Sequence, residues 1–206
     1  MTSPPSDAEL DARQAALQAE ARELLAAPDL AALLADIGPP LFAGSFVSGL
    51  MCWREVDVMV LVGPDFSPQD VIRLLGRIVG LTGVTGLEYR DERGPRCATG
   101  QVRDERYHVP VTVERAGHAW QVDLTLWLHD PHRNVTRWHE ELRERITSEQ
   151  RRAVLRIKDV WHRRPEYPGE VGGLEVYTAV LEDGVRTPGQ FAAWLERRAP
   201  AVDHPR

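Results

Sequence analysis

The sequence predicts an α/β chain of the α+β kind: a small mixed β-sheet backed by helices, followed by a C-terminal helical bundle. Three observations carry this prediction. Segments of helical and strand period run in the order helix, strands with one helix between them, more strands, and then only helices after Asp130. Two strands are joined through Arg115-Ala116-Gly117-His118 as a hairpin, which argues against a purely parallel, doubly wound sheet. Acids also sit inside two apolar strand segments, Glu55-Val56-Asp57 and Val122-Asp123-Leu124. The expected division is an α/β domain over residues 1–130 and a helical subdomain over 131–206.

Each element follows in order. Ser6 and Glu9 form a capping box, and an Ala/Leu/Glu/Arg-rich helix follows to about Ala27. Pro28 interrupts it, and Asp29 is expected to cap a second helix to Ile37, stopped by Gly38-Pro39-Pro40. Leu41 to Ala43 reads as a short buried strand, closed by a turn at Gly44-Ser45, and Phe46 to Trp53 as one or two helical turns. Glu55 to Val62 reads as a strand ended by Gly63-Pro64. Ser67-Pro68-Gln69-Asp70 starts a helix whose apolar face is Val71, Leu74, Leu75 and Ile78. Gly80 to Gly86 reads as turn, and Arg90 to Arg106 as charged, turn-like hairpin ends. Val109–Glu114 and Ala119–Leu128 read as the strands of the hairpin. Helices are expected over Thr136–Ile146, from the Thr147 cap to about Arg163, over Leu174–Asp183, and from the Thr187 cap to Arg198, with a frayed tail from Pro200.

The bulk numbers bound the function. A chain of 206 residues, 43% hydrophobic and 27% charged, is a globular protein long enough for one real core with a helical appendage. A net charge of -6 excludes a general nucleic-acid binder, whose affinity comes from neutralising phosphates. Two cysteines, Cys52 and Cys97, are too few for a disulfide framework or a zinc site and fit a reducing, cytoplasmic location. The opening Met1-Thr2-Ser3-Pro4-Pro5 lacks the basic and apolar stretches of a signal peptide. The longest apolar run, Val56 to Val62, is broken by Asp57 and too short for a bilayer, so no membrane is expected.

The chemistry lies in spacing. Gly44-Ser45 is followed, after nine residues, by Glu55-Val56-Asp57, and Asp123 comes much later. Residues two apart on a strand share a face, so Glu55 and Asp57 point one way while Val56 and Val58 enter the core. Asp123, between Val122 and Leu124, has the same setting. Should the two strands pair, three carboxylates converge, and clustered carboxylates repel unless cations intervene. Magnesium takes oxygen ligands, commonly one or two carboxylates with substrate phosphates completing its shell. Glycine lets a backbone approach a phosphate closely, and serine adds a hydroxyl.

These residues resemble the nucleotidyltransferase superfamily, which includes DNA polymerase β and the antibiotic nucleotidyltransferases, over roughly Leu41 to Leu128. The resemblance implies a nucleotidyltransferase core with Mg2+ held by Glu55, Asp57 and Asp123. It also implies a triphosphate contacted by Gly44 and Ser45, and a catalytic Asp123 that helps deprotonate an acceptor hydroxyl. The activity implied is transfer of a nucleoside monophosphate from a nucleoside triphosphate such as ATP to that hydroxyl. The acidic balance favours a small-molecule acceptor over a nucleic acid. One departure stands out: the family's first acid is ordinarily aspartate, and here it is Glu55. The alternative is therefore a non-catalytic nucleotide-binding or toxin–antitoxin-type member of the same fold. A third reading, a plain interaction protein, places the three acids far apart.

Lys158 is the only lysine in the chain. A compact ammonium suits phosphates, which makes Lys158 a nucleotide-binding candidate; an exposed or intrahelical cation is the plainer reading. Tyr177 reads as a core tyrosine that could instead stack on a base. His129, His132 and His139 match no common zinc spacing. No Gly-x-x-x-x-Gly-Lys-Ser/Thr sequence is present, so a P-loop is excluded.

Overall fold

The computed structural model describes residues 4–130 and 132–198, without the side chains of 132 and 133. The expected fraying from Pro200 lies outside the described residues. The chain divides into two compact units, Ala15–Arg145 and a second made of Met1–Gln14 with Ile146–Arg206. This differs from the expected division at 130/131 at both ends. The helix after Asp130 clusters with the sheet, and the start of the first helix clusters with the C-terminal helices.

In the first unit a six-stranded sheet comprises β1 (Leu41–Phe42), β2 (Glu55–Leu61), β3 (Val84–Leu87), β4 (Arg90–Glu92), β5 (Arg106–Arg115) and β6 (His118–Trp127). The order is β1-β2-β6-β5-β3, with β4 also on β5. Only β2 and β6 run parallel; the other pairs are antiparallel. The mixed sheet backed by helices is the predicted class.

Burial alternates along the central strands, as a sheet with one covered face requires. Val56, Val58, Val60, Tyr107, Val109, Val111, Val113, Trp120, Val122, Leu124 and Leu126 all point into the core. Three helices cover them: the later part of α1 (Asp7–Leu25), α2 (Pro28–Ile37) and α4 (Pro68–Val79). Each fully buried Val or Leu contributes roughly 1.5–3 kcal/mol of transfer free energy. The other face is polar along Glu55 and Asp57 of β2 and Gln121 and Asp123 of β6. Further along it closes over Met59 and Trp127, which pack with Ala43. Helix α5 (His132–Arg145) packs on β1 and on α3 (Gly44–Ser48), and Thr136 Oγ1 donates to the Phe42 carbonyl at 2.8 Å.

Several elements differ from expectation for local reasons. Asp29 does not cap α2; Ala27 holds the cap position with Pro28 in the first turn, and the Asp29 carboxylate instead accepts from Leu30 N and Thr82 N. Helix α3 starts at Gly44, not Phe46, and stops at Ser48 because Gly49 turns left-handed at φ 68°. Leu41 and Phe42 are half-buried rather than buried, since β1 is a sheet edge. Strands β3 and β4 occupy stretches whose glycines and charges read as turn. The first hairpin strand is longer than expected, β5 running Arg106–Arg115, while β6 has the expected length and starts one residue earlier. The turn residues between them, Ala116 and Gly117, both have positive φ, as a two-residue hairpin requires. Pro110 sits inside β5, where a missing N–H would break a ladder. Its carbonyl accepts from Glu88 N at 2.9 Å, so its nitrogen faces the junction at which β3 gives way to β4.

The second unit is helical: the start of α1 with α6 (Ser148–Trp161), α7 (Gly173–Leu181) and α8 (Pro188–Arg198). Ser6 and Thr147 cap their helices as expected, each reciprocated three residues on by Glu9 and Gln150. Trp161, Phe191 and Trp194 form its aromatic core. Arg156 forks onto Asp7 at 2.6 and 2.8 Å, and buried Asp159 pairs with Arg13 and Arg163. Among the described residues no helix is long and apolar enough to cross a membrane.

Candidate active site

The parallel pairing of β2 with β6 sets Asp57 directly opposite Asp123 and Glu55 opposite Gln121. Neighbouring strands lie about 4.8 Å apart, so the two aspartates stand side by side on the polar face. The valines and leucine that flank them are at most 3% exposed, which holds both carboxylates in that direction. Glu55 shares the face, two residues back along β2. Among the described residues no group of three or more His, Cys, Asp or Glu side chains is arranged to hold a metal ion.

Gly44 reaches this pair from the sheet edge. The β1–β2 ladder continues as Ala43 N donates to the Asp57 carbonyl at 3.2 Å, and the chain then turns into α3 with Gly44 at φ 62°. A Cβ on Gly44 would fall 1.6 Å from Asp57 Oδ2, so the glycine α-carbon lies against the carboxylate. Two requirements therefore meet at one position, a left-handed backbone and room for an acid. Ser45 follows, buried to 8% exposure, and its carbonyl takes the N–H of Leu50 at 2.9 Å.

Across the face from Gly44, Asp123 has two polar neighbours. Gln121 Nε2 donates to Asp123 Oδ1 at 2.8 Å. His108 of β5 places Nε2 at 3.9 Å from the same oxygen and Nδ1 at 3.9 Å from Glu92 Oε1 of β4. Arg106 Nε donates to Glu92 Oε2 at 2.5 Å. Burial pushes the His108 imidazole below its ordinary pKa, while Asp123 and Glu92 pull it back upward. Sequence reasoning missed His108, Gln121 and Glu92. The signal for His108 was present: from Arg106 to Val113 every second residue is apolar, which puts His108 on the polar face.

Lys158 belongs to the helical unit, on α6. It is 1% exposed rather than solvated, and Nζ lies 3.4 Å from the hydroxyl of Tyr177, itself buried in α7. His129 Nε2 stands 3.9 Å from Glu105 Oε2.

No protein-family model and no curated protein matches this chain. The solved structure of the GLD-2/RNP-8 complex contains a chain of similar fold, with a TM-score of 0.54 and 11% sequence identity over 96% of this chain and 74% of that one. At that identity the likeness is one of fold.

Proposed function

We propose that this chain is a nucleotidyltransferase, moving a nucleoside monophosphate from a nucleoside triphosphate to an acceptor hydroxyl. The observation that carries the reading is the pair Asp57 and Asp123 in register, with Gly44 packed on the first. Gly44, Asp57 and Asp123 are thus neighbours across two strands, which supports the reading, and the fold likeness is consistent with it.

The donor set is the two hard carboxylates of Asp57 and Asp123 in register, with Glu55 two residues back along β2, and two carboxylates suit magnesium whose shell substrate phosphates complete. Asp57 and Asp123, with Glu55 at the rim, would hold Mg2+, which when bound neutralises charge on the phosphate oxygens. The acceptor oxygen attacks the α-phosphorus in line. Its proton passes to Asp123, the bond from the α-phosphorus to the bridging oxygen breaks, and pyrophosphate leaves with the electron pair. Gly44 and Ser45 hold the triphosphate on the α3 side of the pair. Positioning supplies most of the rate.

The test is incubation with labelled nucleoside triphosphates, magnesium and a panel of hydroxyl acceptors, small molecules first, following pyrophosphate release. Release that is lost in Asp57→Asn is expected. A folded chain that releases none with any triphosphate shifts the reading to a non-catalytic nucleotide binder, which the pairing of Glu55 with Gln121 instead of another acid favours. That second reading requires magnesium-dependent triphosphate binding, abolished in Asp57→Ala.

A further inference from the structure

We propose that His108 is a positioning residue that, with Gln121, fixes which oxygen of Asp123 faces the acceptor. This rests on the reaction assigned above and adds a member to its machinery from β5. Gln121 and His108 converge on one oxygen, Oδ1, at 2.8 and 3.9 Å. The other oxygen, Oδ2, is then the one turned to the proton of the acceptor. Glu92 stands behind the imidazole at Nδ1, and Arg106 holds Glu92 in turn, so the row Arg106–Glu92–His108–Asp123 crosses three strands on a single face.

The register explains how His108 reaches so far. Its direct partner on β6 is Thr125, and Asp123 is the diagonal neighbour opposite Pro110. Proline has a short, compact side chain, so nothing long stands between His108 and Asp123. The gap of 3.9 Å is the kind that closes when substrate draws a catalytic group into place. Across the sheet the order is Gly44, Asp57, Asp123, His108, Glu92. Phosphates held at Gly44 leave the His108 side for the acceptor.

Steady-state pyrophosphate release in His108→Ala, His108→Gln and His108→Asn tests this, alongside the Gln121 side-chain amide resonances of each folded variant. His108→Ala is expected to lower kcat by about 10- to 100-fold with the triphosphate KM within about twofold, the usual cost of losing a group that orients another. A Gln amide nitrogen falls near Nε2 and an Asn one near Nδ1, so His108→Gln is expected to recover part of kcat and His108→Asn none. The Gln121 amide signals are expected to move in His108→Ala because Asp123 turns. An unchanged kcat, a rise in KM alone, or equal losses in all three variants overturns the proposal. A parent chain with no turnover overturns the reaction; unmoved Gln121 signals overturn the positioning role separately.

Discussion

The α-carbon of Gly44 lies against the carboxylate of Asp57, so closely that a Cβ built there falls 1.6 Å from Oδ2 and 2.6 Å from Cγ. The glycine also holds φ 62°, where a side chain costs roughly 1–2 kcal/mol. Gly44→Ala is therefore expected to lower stability modestly but to remove activity almost completely, because the Asp57 carboxylate must turn away. A double-mutant cycle with Asp57→Gly checks it. In that background the alanine keeps its backbone cost and loses its clash, so its stability penalty shrinks.

Under the proposed reaction Asp123 serves the chemistry rather than the fold. Two carboxylates side by side on adjacent strands repel, which offsets the Gln121 hydrogen bond. Asp123→Asn is expected to leave unfolding free energy within about 0.5 kcal/mol of the parent while cutting turnover by about 100-fold or more. Urea titration and pyrophosphate release on one preparation measure both. A large stability loss without a turnover loss would identify Asp123 as structural.

Tyr107 is fully buried under the sheet, and its hydroxyl donates to the Phe66 carbonyl at 3.1 Å. Tyr107→Phe keeps the ring and leaves that carbonyl without this donor. A loss of about 1 kcal/mol is expected by urea titration, with turnover unaffected.

In the helical unit, burial pushes the His162 imidazole below its ordinary pKa, and its contact with the Lys158 carbonyl opposes this only in part. The unfolded chain takes up a proton near pH 6.5 while the native chain resists it to lower pH. The unfolded form thus binds more protons in that window, and stability falls as pH falls through 6.5 toward the native value. Melting curves from pH 8 to 5 are expected to show this decline, shallower in His162→Gln. His108, pushed down in the same direction by burial, contributes a decline of the same sign that the variant retains.

Much of the fold was legible because its signals are local. Capping pairs such as Ser67–Asp70 and Thr147–Gln150 satisfy helix-end donors within four residues and need no tertiary partner. Alternation in Glu55–Leu61 states which face is buried before any neighbour is known. Strands β3 and β4 were hidden because glycines and paired charges there suit a turn equally well. Their strand form comes from the edge that β5 offers.

By itself, the sequence determined that Glu55 and Asp57 share a face and that Asp123 sits on a strand of the same kind, because strand period is a property of the backbone. It also placed Gly44-Ser45 between the first two strands, though as a turn, where the structure makes both residues the start of α3. Tertiary structure alone decided that β2 and β6 are parallel neighbours with 57 facing 123, that Gln121 rather than an acid faces Glu55, and that His108 leans over Pro110 toward Asp123. Register between distant strands depends on how the whole set of apolar side chains packs under the sheet, and no local pattern encodes that sum.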